Sequence, residues 1–241
     1  MEQGVRERVG ASLRAFERAW LDPLDVPIAR AIRELGWAPD GAEAYCDRCG
    51  ATVGPAEAVE FGCSRCVNTR PAWARFVRLG AYESPLREWV QELKFERRRP
   101  VGRVLGRALG VAAREAGVLE GVRKGRVAVV PVPMPRVRFL TRGIDHTGAI
   151  GSSAAAELGV GVVRAVRASM HPSQRTVASS GRRANVRGKY RVSGRTLAGV
   201  GRAVVVDDVV TTGATVTEVC RTIRKACPGV ELWVASVCVV S

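Results

Sequence analysis

Residues 204–215 read V-V-V-D-D-V-V-T-T-G-A-T, a stretch that combines the two chemistries a phosphorylated sugar requires. Asp207 and Asp208 are adjacent carboxylates that can accept hydrogen bonds from sugar hydroxyls. Thr211, Thr212, Gly213, Ala214 and Thr215 make a short turn of hydroxyls and glycine. Apolar residues then recur at helical spacing in Val216, Val219, Cys220 and Ile223. The turn therefore falls at a helix N-terminus, where free backbone amides face an anion. Val204, Val205 and Val206 suit a strand covered on both faces, and the acids stand at its carboxyl end, where open parallel sheets place their ligands. A D-D dipeptide alone would fit a solvated loop just as well. The unbroken order of strand, acids, turn and amphipathic helix is what selects a site. No G-K-[S/T] follows the glycine, so the turn is not a Walker loop, and no G-x-G-x-x-G marks a dinucleotide fold.

Cysteine supplies a second chemistry. Cys46-Asp47-Arg48-Cys49 and Cys63-Ser64-Arg65-Cys66 are two C-x-x-C pairs separated by 13 residues, slightly short of the usual spacing. Two such knuckles can close a four-thiolate shell with no open position, which describes a structural zinc ribbon and not a catalytic metal. A pair of disulfides is the alternative, and the chain carries no sign of an oxidising compartment. Cys220, Cys227 and Cys238 fall in the C-terminal helix and strand region, where free cysteine serves as a small core residue.

The 204–215 stretch resembles the phosphoribosyl-pyrophosphate (PRPP) motif of type I phosphoribosyltransferases. Ribbon first and PRPP motif last resembles the layout of the ComF family, named for natural competence, the uptake of DNA. Leu93-Lys94-Phe95 is similar to that family's L-K-F segment and Pro131-Val132-Pro133 to its V-P-V-P segment. Gln174, Arg183 and Asn185 match a spaced Q…R…N pattern, while Arg142-Gly143-Ile144-Asp145-His146 keeps only Arg and Gly of R-G-F-N-Q. The resemblance implies a type I phosphoribosyltransferase-like α/β fold, mostly parallel, with a small N-terminal zinc ribbon. It implies that Asp207 and Asp208, the expected catalytic pair, hold the ribose hydroxyls. The PRPP-binding stretch would be Val206, Asp207, Asp208, Val209, Val210, Thr211, Thr212, Gly213, Ala214 and Thr215, its turn taking the 5-phosphate. It also implies Mg²⁺ carried in by pyrophosphate and ribose oxygens, and transfer of ribose 5-phosphate to a nitrogen acceptor.

Breaking the ribose C1–pyrophosphate bond leaves an oxocarbenium-like sugar and a strongly negative leaving group, which calls for cations around the pyrophosphate. Arg136, Arg138 and Arg142 in the loop after Pro133 are candidates. Ser169–Arg191 is polar and aperiodic, a long loop that corresponds to the hood of such enzymes, with Gln174, Arg175, Arg183 and Lys189 as its candidate side chains. No general base stands out. His146 and His171 are the only histidines, and each reads as structural or exposed.

These groups need positioning elements. Ser84 reads as an N-cap with Pro85 at the first helical position, opening a helix that turns Leu86, Trp89, Val90 and Leu93 inward and ends at Arg97-Arg98-Arg99. A second helix is expected over Val101–Ala116, a buried strand over Val127–Val132, a basic loop from Met134 to Gly143, a helix over Asp145–Leu158 and a strand over Val160–Val166. Leu13, Phe16, Trp20, Leu24, Ile28, Ile32 and Leu35 recur near helical spacing, broken at Pro23 and Pro27, as a helical lead-in. The expected division is residues 1–72 for lead-in and ribbon, and 73–241 for the phosphoribosyltransferase-like domain.

At 241 residues with 46% hydrophobic content the chain can bury a core of ordinary size. Met1–Gly10 is charged without an apolar stretch, and no apolar run approaches the roughly 18 residues of a bilayer span, so the expectation is a cytoplasmic protein without membrane insertion. The formal charge is +15, and 34 of the 38 basic residues are arginine. Arginine in excess fits a nucleic-acid surface, pyrophosphate loops or compositional bias. Aromatic content of 5% weakens any single-strand stacking platform. Two functions stay open: the transferase, or a non-catalytic PRPP- or nucleotide-binding module that contacts single-stranded DNA and a helicase-like competence ATPase.

Overall fold

The computed structural model describes residues 34–54, 57, 62–96, 98–123, 125–135, 143–168 and 188–240. Met1–Ala38 and Pro39–Ser241 form separate units. The helical lead-in at 13–32 lies outside the described residues.

Runs of Val, Ala and Leu in the second unit produce five parallel strands: β1 (Arg75–Ala81), β2 (Val127–Pro131), β3 (Gly161–Val162), β6 (Arg202–Val210) and β7 (Glu231–Val239). Their order is β1-β7-β6-β2-β3. A short antiparallel pair, β4 (Val166–Ala168) with β5 (Tyr190–Val192), stands apart. The α/β class with a mostly parallel sheet is therefore as expected. The order also fixes a switch point. From β2 the chain crosses to β3 on one side, and from β6 it crosses to β7 on the other, so a crevice opens between the carboxyl ends of β2 and β6. That crevice is where open α/β sheets bind ligands.

Strand alternation sends successive side chains to opposite faces. Val130, Ala203, Val205 and Val234 pack with Val216, Val219 and Ile223 of α4 (Ala214–Ala226). On the other face, Val129 meets α3 (His146–Leu158), where a Cβ on Gly151 would come within 3.4 Å of its methyl. α1 (Leu86–Phe95) and α2 (Arg99–Glu115) complete that layer, and Leu86, Trp89, Val90 and Leu93 are buried as their spacing requires. α1 begins one residue later than expected, with Pro85 in the cap position.

The α2–α3 contact depends on glycine. Gly102, Gly106 and Gly110 recur every four residues on the buried side of α2. A Cβ at Gly106 would fall on the Ile150 carbonyl oxygen, and one at Gly110 would meet the Ala154 carbonyl oxygen at 2.9 Å. Helix propensity alone would make Gly106→Ala stabilising by about 1 kcal/mol. The close approach reverses the sign: Gly106→Ala should lower the urea midpoint, and Gly106→Leu should cost about 1–3 kcal/mol by overpacking. An unchanged or raised midpoint for the alanine variant would refute the contact.

Two expectations need correction. The strand expected over Val160–Val166 is split. Only Gly161–Val162 pair with β2, and Val166 belongs to the hairpin. Between them the Val163 amide still donates to the Val129 carbonyl at 2.8 Å, and the Arg164 side chain bonds Asp145 at 2.8 Å. Second, the acids do not follow their strand. β6 runs on to Val210, so Asp207 and Asp208 sit inside it.

Candidate functional site

Because β6 continues through both acids, the pleat separates them. Asp208 shares the face of Val204 and Val206, toward the α1–α3 layer, whereas Asp207 shares that of Val205. Both remain buried at the edge of one cavity of about 540 Å³. Lys94 Nζ lies 3.0 Å from Asp208 Oδ2, and His146 Nε2 lies 2.9 Å from the same oxygen. Lys94 comes from the last turn of α1, and His146 is the first residue of α3. The Val209 amide donates to Asp208 Oδ1 at 2.6 Å, and the Asp208 amide donates to Asp207 Oδ1 at 3.0 Å. Burial would raise the Asp208 carboxyl, but the His146 hydrogen bond and the Lys94 charge outweigh it and hold the group down at about 2.

Other groups converge here. Val132, Pro133, Met134 and Pro135, following β2, form one wall. Thr147 Oγ1 donates to the Val132 carbonyl at 2.8 Å and ties this wall to the start of α3. Asp145 caps α3 by accepting from the Gly148 amide at 3.0 Å. Thr211, Thr212, Ala214 and Thr215 line the opposite wall. Gly213 has φ of +70°, a left-handed conformation that suits glycine, and it turns the chain from β6 into α4. The first amides of α4 have no partner one turn back, so they are open to an anion. Tyr82, Lys189 and Tyr190 close the rim.

Of the site residues expected from sequence, the structure brings Asp207, Asp208, Val209, Thr211, Thr212, Ala214, Thr215 and Lys189 to one cavity. Val206 and Val210 are buried in β6 beside it. Arg136, Arg138, Arg142, His171, Gln174, Arg175, Arg183 and Asn185 lie outside the described residues. His146 is neither exposed nor remote: it is buried against Asp208. Lys94, in the sequence only the middle of the L-K-F segment, is a further residue of the site. A lysine four residues after the buried Val90, on an otherwise apolar helix face, was the signal for it.

The second candidate site is the cysteine cluster. All four sulfurs lie within 4.8 Å of one another. Cys46–Cys66, Cys49–Cys63 and Cys63–Cys66 are separated by 3.7, 3.6 and 3.9 Å, and all four thiols are free. A zinc–sulfur bond of about 2.3 Å sets tetrahedral sulfur edges of about 3.8 Å, so the four thiols fit such an ion. The cluster is joined to β1. The Phe76 amide donates to the Asp47 carbonyl at 2.6 Å. Arg78, fully buried, donates to Asp40 from Nε and Nη2 at 3.0 and 2.6 Å, to the Gly50 carbonyl at 2.7 Å and to Thr52 Oγ1 at 3.0 Å. Elsewhere burial pushes the Cys220 and Cys238 thiols up to about 12, as inert core residues.

The described residues thus form an α/β fold with a mostly parallel five-stranded sheet and a four-cysteine cluster that could hold a metal ion. No family model matches the chain. It is 30% identical over 217 residues to the DNA utilization protein YhgH of Salmonella typhimurium, covering 85% of this chain and 86% of the relative. It is 29% identical over 197 residues to the YhgH of Escherichia coli K12, covering 78% and 82%. It is 28% identical over 192 residues to competence protein F of Haemophilus influenzae, covering 78% and 80%. The chain belongs to the ComF family.

Proposed function

We propose that the chain binds PRPP in the β2–β6 crevice and transfers its ribose 5-phosphate to a nitrogen acceptor, within a pathway of DNA uptake or DNA use. The observation that carries this reading is that both acids and the open start of α4 line one cavity. The amides and hydroxyls of Thr211–Thr215 would take the 5-phosphate, and Asp207 would accept from the ribose hydroxyls. Lys94 and His146 hold Asp208 in place, and the Lys94 ammonium offsets its charge. Lys189 at the rim would face the pyrophosphate, with Arg136, Arg138 and Arg142 as further cations and Gln174, Arg175 and Arg183 in the hood. In the reaction the C1–oxygen bond to pyrophosphate breaks, a C1–nitrogen bond forms, and the acceptor loses a proton. Asp207 and the threonine hydroxyls are hard oxygen donors of the kind Mg²⁺ prefers; the ion would neutralise the pyrophosphate and be bound chiefly by PRPP's own oxygens. The cysteine cluster would hold structural zinc, and residues 1–72 and 73–241 would be the two functional parts.

The names of the relatives support a DNA-related role; contact with single-stranded DNA and with a helicase-like ATPase is the finer form that we give it. One observation favours a second reading, a non-catalytic PRPP-binding module: both Lys94 and His146 already engage Asp208. Calorimetry with PRPP and Mg²⁺ followed by pyrophosphate release against a set of nucleobases separates the two. Mg²⁺-dependent binding with release supports the transferase, and binding without release supports the module. No binding overturns both. Among the described residues no helix is long and apolar enough to cross a membrane.

A further inference from the structure

A second cavity, of about 520 Å³, lies on the other side of the Thr211–Ala214 turn, between α4 and the cysteine cluster. Its cations come from three separate elements. Arg65 lies inside the second knuckle, Arg70 in the segment leading to β1, and Arg221 on α4. All three are exposed, and among the described residues none is paired with a carboxylate. The acid in the lining, Glu218, already accepts from the Gly188 amide at 2.8 Å. Trp73 is half-buried in the same wall, with its Nε1 donating to the Arg48 carbonyl at 2.8 Å and its ring edge-on to Phe76. The indole is therefore held rigidly within the cavity.

We propose that this cavity is a single-stranded nucleic-acid site, in which Arg65, Arg70 and Arg221 contact successive phosphates and one unstacked base rests on Trp73. Cations placed on three elements suit an extended polyanion better than a single phosphate. A half-buried indole is reached by an unpaired base and not by one inside a duplex. With one aromatic, the site stacks one base and reads no sequence. The proposal rests on the DNA-handling reading above and gives it a location separate from the PRPP crevice.

The test is fluorescence anisotropy with an oligothymidylate across a salt series, on the full chain. The variant Arg65→Gln/Arg70→Gln/Arg221→Gln changes exposed side chains only, so its fold and zinc content should stay as in wild type. Its log–log salt slope should be shallower by about 2, since each phosphate contact on a single strand contributes about 0.7. Trp73→Leu should weaken binding about tenfold with an unchanged slope. Asp207→Asn, which leaves the buried Lys94–Asp208 contact in place, should bind the oligonucleotide normally. An unchanged slope in the triple variant, equal affinity for duplex, or displacement of the strand by PRPP would each overturn the proposal. Wild-type protein that binds no oligonucleotide would overturn it together with the DNA-handling reading, while PRPP calorimetry would still report on the crevice.

Discussion

Replacing Cys63 and Cys66 together with serine should bring the metal content from about one zinc per chain to near zero and lower the thermal midpoint by many degrees. The four sulfurs already have the spacing of a closed tetrahedral shell, so the ion has only a structural part to play. Metal that binds only the folded chain stabilises it by about 4 kcal/mol at a thousandfold excess over its dissociation constant. That is a large share of the 5–15 kcal/mol that holds a typical domain. Elemental analysis and thermal unfolding with and without chelator give the answer. Zinc that persists in the double variant, or a midpoint indifferent to chelator, would refute a metal at these cysteines.

The second large effect belongs to the acid pair. Asparagine keeps the shape of aspartate and removes its charge. Asp207→Asn with Asp208→Asn should forfeit charge-assisted bonds of roughly 1.5–3 kcal/mol each, a loss in PRPP affinity of about 10²–10⁴-fold. The single variants should divide the effect. Asp207→Asn should weaken binding with little change in stability. Asp208→Asn should also destabilise the fold by about 3–5 kcal/mol, because Lys94 and His146 lose their shared buried partner. The stabilisation that Asp208 contributes is complete above its ordinary value of 3.8 and is lost as the pH falls towards about 2. PRPP binding should therefore show no loss attributable to this group between pH 5 and 8. Wild-type affinity in the double variant would remove the site from this strand.

Much of this was legible in the sequence because it is local. The turn at 211–215, the helix that follows it and the cysteine spacing each occupy a few residues whose types dictate their geometry. The buried faces of α1 and α2 were legible for the same reason. Long-range arrangement was not. Nothing near Asp208 announces that Lys94 and His146 will reach it, since they lie more than 60 residues away and meet it only once the sheet order is set. The adjacency of Asp207 and Asp208 suggested a single two-pronged group, and only the continuation of β6 to Val210 shows that the pleat parts them. Gly102, Gly106 and Gly110 gave no hint of their role until the partner helix lay across them.

The junction between the cysteine cluster and β1 carries a consequence for solubility. Among the described residues β1 is the outermost strand on its side of the sheet, with β7 as its one strand neighbour. An outer strand with open backbone groups is a template for pairing with other chains, and one bearing Phe76, Val77 and Leu79 is an adhesive one. Here two of those backbone groups are covered from within. The Phe76 amide is taken by Asp47, the Leu79 carbonyl accepts from the Asp40 amide at 2.8 Å, and Arg78 fastens the cover in place. The metal module is thus a guard over the sheet's exposed margin. Chain stripped of metal should self-associate through β1 before its interior unfolds, so light scattering should rise ahead of the loss of helical signal.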